Sequence, residues 1–261
     1  MNWYNTGYDG INKEEQRIQS MSGPSRLWIP AGSGRDLVIV DDDAFCIYEH
    51  NAKINGSWRN HHTCNQGFEP SCESCARLGE KSKAYTGYLT CCDCTLHVDK
   101  KGNKYQYEMK LVGAKLGLLK KWRRKKDERG SIVMTKVKIH REDDKKASTG
   151  DEWEFGEVVK DPKKLFELAN YRGKKLTELW DKAEENEQAM KLLKQVFQLQ
   201  FEGEKLVRTL VPFNYMEVLK PRGNAWVKDM LGGRSRDELQ GKSEEGESGG
   251  GGDSNEDDVP F

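Results

Sequence analysis

Three cysteines stand where a metal ion could gather them. The stretch "TCNQGFEPSCESC" sets Cys72 and Cys75 on a Cys-x-x-Cys turn shortly after Cys64. Thiolates so spaced bind zinc at about 2.3 Å, and a tetrahedral site asks for one ligand more. His50, His61, His62 and Cys94 are the candidates. His61 and His62 neighbour Cys64 on one predicted strand, so a zinc held there would pin little. Regular pairing would carry Cys94 as far as about 30 Å away, at about 3.3 Å per residue. His50 precedes the Asn55-Gly56 turn, and regular pairing sets it opposite His61, where a modest bend or bulge would bring it into range.

A second group of residues suits unpaired nucleotides. Single-strand binding needs cations for phosphates and flat rings for bases, at about 1–3 kcal/mol per stacked base. Tyr48, Trp58, Tyr85, Tyr88, Tyr105 and Tyr107 fall on predicted strands, with Arg59, Lys83, Lys101 and Lys104 among them. The run "KKWRRKK" adds Lys120, Trp122, Arg123 and Arg124. Tyr105 and Tyr107 are expected on one strand face because strand side chains alternate, although any single strand aromatic is as readily a core residue. The chain is neutral overall, with 43 Lys/Arg and 43 Asp/Glu, but Lys100–Lys146 holds 17 basic residues against 6 acidic, and Gly232–Phe261 holds 3 against 9. That segregation predicts an anion-binding surface and a tail able to compete for it.

Enzymatic motifs are missing. There is no Walker-type loop and no Gly-x-Ser-x-Gly. The triplet Asp41–Asp43 sits at a predicted turn without a partner acid. A zinc nucleobase deaminase wants His-x-Glu and Pro-Cys-x-x-Cys; here Ser71 separates Pro70 from Cys72, and His50 is followed by Asn-Ala. A non-enzyme is expected.

The elements that must position these residues are strands near Leu37–Val40, Phe45–Glu49 and Ser57–Thr63. Then come "YTGYLTCCDCTLHV" and "KYQYEMKLVGA", joined by a hairpin at Asp99–Asn103. A basic helix follows over Leu116–Glu128, then strands in "SIVMTKVKIHR" and "EWEFGEVV", then helical patterning from Asp161 and Pro162 to about Gln200. Cys46, Cys91, Cys92 and Cys94 read as small strand residues. Antiparallel strands, an inserted loop and an intervening helix predict a mainly β, α+β chain, an OB-type barrel elaborated by helices. The expected organisation is a flexible arm at 1–25 with a short helix near Asn12–Met21, a core at 26–231 with its zinc subdomain at about 46–82, and a disordered acidic tail at 232–261. No segment approaches the roughly 18 apolar residues of a membrane span, and the start lacks a secretory leader, so a cytoplasmic protein with no membrane partner is expected.

The run "AFCIYEHNAKINGSWRNHHTC…SCESC" resembles the zinc-binding segment of phage single-stranded-DNA-binding proteins of the T-even helix-destabilising type. These show a histidine, an Asn-Gly-x-Trp hairpin, a Thr-Cys and a Cys-x-x-Cys, at spacings not identical to those found here. The resemblance covers about Arg26–Arg141. It implies an OB-fold with His50, Cys64, Cys72 and Cys75 as zinc ligands, a closed set whose role is structural. The ending "DSNEDDVPF" looks like the acidic tip of bacterial single-stranded-DNA-binding proteins, with Asp257 and Asp258 before Val259, Pro260 and Phe261. Together these imply a protein that coats single-stranded DNA during phage replication, recombination and repair in an infected bacterium, its tail recruiting partner proteins. The alternative is a zinc-stabilised protein adaptor; RNA binding also stays open, since stacking and a basic groove do not detect a 2′-hydroxyl.

Overall fold

A computed structural model describes residues 24–55, 61–98, 102, 104–203 and 205–240. The expected arm helix near Asn12–Met21 lies outside them. The strands are β1 (Ser33–Ile39), β2 (Phe45–His50), β3 (His62–Thr63), β4 (Ala84–Asp93), β5 (His97–Val98), β6 (Lys104–Tyr105), β7 (Glu108–Ala114), β8 (Thr135–Arg141), β9 (Glu152–Val158), β10 (Asn170–Tyr171) and β11 (Lys174–Lys175). The helices are α1 (Glu73–Leu78), α2 (Leu116–Arg129), α3 (Pro162–Leu168), α4 (Leu176–Glu185), α5 (Glu187–Val196), α6 (Tyr215–Val218), α7 (Asn224–Leu231) and α8 (Arg236–Gln240). The chain is α+β, with one large, mostly antiparallel sheet ordered β11-β10-β7-β4-β1-β8-β9.

The long β4 organises it. One edge pairs β7 from Gly87 to Asp93. The other pairs β1 at Leu37–Ile39 and β2 at Phe45–Glu49. Between those registers five residues, Val40–Ala44, face only Leu89 and Thr90. The excess loops out and turns Asp41 inward, where its carboxylate accepts from Thr90 N and, at 2.7 Å, from Tyr215 OH. The predicted turn at Asp41–Asp43 is therefore an irregularity within a strand edge.

Alternation on β4 divides the apolar residues between two faces. Leu89 and Cys91 join Leu37, Ile39, Val112, Val137, Ile139 and Trp122 beneath α2. Tyr88 and Cys92 join Val38, Met109 and Leu111 beneath Phe166, Trp180, Phe213 and Tyr215. Gly87 lets α2 approach: a Cβ there would lie 2.4 Å from a Leu119 methyl.

The expected barrel is not closed. β7 and β9 are not paired; instead the extended Ser25–Ile29 run lies along β7, with Leu27 N bonded to Leu111 O at 2.8 Å. Ile29 N then reaches Ser148 O, ahead of β9, at 2.8 Å. The helical run expected from Asp161 begins as predicted, Asp161 Oδ1 accepting from Lys164 N at 3.0 Å, but breaks at Ala169. There Arg172 and Gly173 take φ of 53° and 72°, and the resulting hairpin puts β10 beside β7. The folded chain also runs past the expected boundary at 231. Leu239 is fully buried with Ala52, Leu78, Val227 and Leu231, so residues 232–240 belong to the folded unit. No helix among the described residues is long and apolar enough to cross a membrane.

Candidate metal centre and nucleic-acid face

The run between β2 and β4 carries β3, α1 and the metal-ligand candidates. His50 ends β2, Cys64 follows β3, and Cys72 and Cys75 flank the start of α1, where Cys75 N donates to Cys72 Sγ at 3.5 Å. All four are buried, and their ligand atoms lie within 4.8 Å of one another. Cys64 Sγ is 3.7 Å from the sulfurs of Cys72 and Cys75, and His50 Nε2 is 3.6 and 3.4 Å from those same sulfurs. A tetrahedral zinc has S···S edges of about 3.8 Å and S···N edges of about 3.6 Å, given its bond lengths of about 2.3 and 2.05 Å. The donor set therefore fits a metal ion of that size, with His50 in the fourth position implied by the resemblance. His50 pairs His62 rather than His61, one register step from the regular pairing expected. Cys94 lies elsewhere, beside Cys92.

Electrostatics fit the same role. Burial, then the adjoining Cys64 and Cys72 sulfurs, pushes the Cys75 thiol up. Gathering thiolates in a buried pocket is unfavourable until a cation offsets their charge. Burial, reinforced by His62 and Lys83, pushes His50 down to about 4 and keeps its imidazole neutral. Its Nδ1 is 3.1 Å from Ser82 Oγ, which donates to Gly79 O at 2.6 Å. Ser82 must then accept from Nδ1–H, which leaves the Nε2 lone pair facing the sulfurs. Gly79 presents that carbonyl because it ends α1 at φ 88°.

The C-terminal elements hold the insertion from outside. Asn224, opening α7, accepts from Asn65 Nδ2 at 3.0 Å and Glu73 N at 2.9 Å, and donates to Ser71 O at 2.9 Å. Gln240 Nε2 donates to Leu78 O at 2.8 Å. Sequence reasoning missed Ser82 and Asn224, because neither stands at a motif spacing.

The nucleotide-binding candidates divide sharply. Tyr48 and Tyr85 are cross-strand partners with ring centroids 5.3 Å apart, 52% and 42% exposed. Lys83 Nζ lies 5.6 Å from the Tyr48 centroid. Tyr88 points the other way; it is fully buried and its hydroxyl donates to the buried Glu49 carboxylate, so its ring cannot meet a base. Tyr105 is exposed and stacks on His97 at 4.9 Å, with Lys104 exposed beside it. Tyr107 does not share its face: the strand breaks there at φ 59°, and Tyr107 packs against the core. Trp58, Arg59, Lys101 and the tail residues Asp257, Asp258, Val259, Pro260 and Phe261 lie outside the described residues.

On α2, Trp122 is the buried residue, its ring 5.3 Å from Trp153. It is the helix's anchor and not a stacking platform. Lys120, Arg123 and Arg124 face solvent, with Arg123 4.0 Å from Asp127 and Arg124 3.6 Å from Glu128. Such exposed pairs hold little energy and leave the cations available. Lys126 bridges back to Asp42 and Asp43 at 3.0 and 2.7 Å.

A cavity of about 210 Å³ opens between β3, β7 and the segment after α6, lined by Arg26, His61, His62, Lys220 and Arg222. Arg26 reaches Glu49 at 3.4 Å and lies 5.1 Å from the Tyr88 centroid. Burial, then Arg26, pushes His61 down to about 4. No family model matches the chain, and no curated protein matches it.

Proposed function

We propose that the protein binds single-stranded DNA through an open OB-type barrel stiffened by a structural zinc ion. The order of pairing supports the barrel: β1 with β4, β4 with β7, then α2, then β8 back onto β1, and β9 onto β8. That order is compatible with a five-stranded Greek-key barrel left open at its last pairing. Three thiolates and an imidazole suit a soft or borderline ion such as zinc, and four protein ligands complete its tetrahedron and leave no open position for a reaction. The resemblance to phage single-stranded-DNA-binding proteins points the same way. In this reading the segment after Gln240, with its acidic residues and Val259-Pro260-Phe261, recruits replication and repair proteins.

One observation carries the reading: Tyr48 and Tyr85 present exposed rings from neighbouring strands beside Lys83, whose ammonium also pairs with Glu80 at 2.7 Å. Rings paired across a strand ladder offer flat faces at fixed spacing, and a cation beside them suits a phosphate. The test is titration of the zinc-loaded protein with oligo(dT) and with duplex DNA at two salt concentrations. Binding to oligo(dT) that weakens steeply with salt, and falls about tenfold or more in Tyr48→Ala/Tyr85→Ala, is expected. Indifference to oligo(dT) at low salt overturns the proposal.

A further inference from the structure

Among the described residues, the lining of the cavity between β3 and the segment after α6 includes no carboxylate. Its charged side chains are Arg26, Lys220 and Arg222, with the His61 imidazole beside them. Lys220 and Arg222 are exposed, and among the described residues neither is in an ion pair. Arg222 is nonetheless held in place, because its guanidinium lies 4.5 Å from the Trp226 centroid. Arg26 is fixed from beneath by Glu49 and Tyr88. The rear wall is tied shut where Thr63 Oγ1 donates to Leu219 O at 2.6 Å. Two braced guanidiniums and an exposed ammonium around a polar cleft match the forked hydrogen bonding that phosphate oxygens accept. At about 210 Å³ the cleft falls below the roughly 300–1,000 Å³ of pockets that enclose drug-sized ligands, so its ligand is a group rather than a nucleoside.

We propose that this cleft binds one phosphate group, and, resting on the DNA-binding reading above, that the group is a backbone phosphate of the bound strand. The cleft adjoins the metal-bearing insertion on the Glu49 and Tyr88 side of the sheet, opposite the Tyr48 and Tyr85 rings, so that phosphate would mark where the strand passes round the sheet edge onto the insertion.

The experiment uses the zinc-loaded full chain and follows the NMR signals of the Trp226 indole and the His61 imidazole. Inorganic phosphate and oligo(dT) are titrated separately into the wild type, into Lys220→Gln/Arg222→Gln, and into Lys163→Gln/Lys191→Gln as a control for exposed charge. Saturable shifts with both ligands, abolished in the first variant and retained in the control, are expected. The slope of log affinity for oligo(dT) against log salt should become shallower by about 0.7 in the first variant, the loss of one single-strand phosphate contact. Shifts with phosphate but not with oligo(dT) uphold the cleft and overturn its assignment to the DNA backbone. Oligo(dT) binding that leaves both signals and the slope unchanged overturns the assignment to the bound strand and spares the DNA-binding reading. Absence of any saturable shift with phosphate overturns the site outright.

Discussion

His50 Nδ1 and Ser82 Oγ stand 3.1 Å apart, and the serine hydroxyl is already committed as donor to Gly79 O. The imidazole therefore has one usable tautomer, with Nε2 toward the three sulfurs. Ser82→Ala frees the ring to rotate and to change tautomer. Zinc affinity is expected to fall by about tenfold to a hundredfold, the usual cost of removing such an outer partner. Competition with a chromophoric chelator measures it, and unchanged affinity would show that packing alone orients the ring.

Metal removal should release more than the insertion. One zinc per chain is expected, and Cys72→Ser or chelation should lower the melting temperature. Asn224→Ala removes hydrogen bonds to Asn65, Glu73 and Ser71 and should cost about 1–3 kcal/mol, since it leaves partly buried partners unsatisfied. Urea unfolding of the zinc-loaded variant reads that cost; a loss below a few tenths of a kcal/mol would mean that Asn224 is a bystander.

Asp41 predicts an unusual pH dependence. Burial raises its carboxyl from 3.8 to about 6 despite hydrogen bonds from Tyr215 and Thr90. With the folded value above the unfolded one, its contribution is fully present below about pH 4 and is lost as pH rises through about 6. Asp41→Asn keeps an acceptor and removes the charge. Relative to wild type it should gain stability between pH 4 and pH 7, by on the order of 2 kcal/mol at the upper end. Equal differences at pH 4.5 and pH 7.5 would dismiss the carboxyl as the source.

Trp122 and the Tyr48–Tyr85 pair should separate stability from binding. Trp122→Ala is expected to cost about 3–5 kcal/mol, while oligo(dT) affinity at a temperature where the variant is folded stays at the wild-type value. Trp122→Phe should be far milder, because the buried indole N–H has no hydrogen-bond partner among the described residues. Tyr48→Ala/Tyr85→Ala should do the reverse, weakening oligo(dT) binding with little change in melting temperature. Calorimetric scans and anisotropy titrations on the same samples decide between these patterns.

What could be read from the residues alone was local. The Cys-x-x-Cys turn, the Asp161-Pro162 helix start and the β5–β6 hairpin all follow from short-range spacing, and all are present. The misreadings concern what packs on what. Trp122 lies in so basic a run that its single inward position is masked. Tyr88 stands an odd number of residues from Tyr85, so the sequence already puts the two on opposite faces; which of them turns inward depends on the layer of Tyr215 and Phe213 that covers Tyr88. The break before Tyr107 depends on a positive φ at a tyrosine, which the sequence does not announce. The cationic cleft draws on Arg26, His61 and Arg222, brought together by tertiary structure alone, although Lys220-Pro221-Arg222 next to Trp226 was a visible hint.

The bond from Gln240 to Leu78 sets the mooring point of everything downstream. The last described residue is thereby held on the lobe that carries the metal-ligand cluster, where Leu239 packs with Leu78 and Ala52. If the terminus recruits a client as proposed, loss of the metal would slacken that knot, and loading with zinc would govern how the terminus is offered.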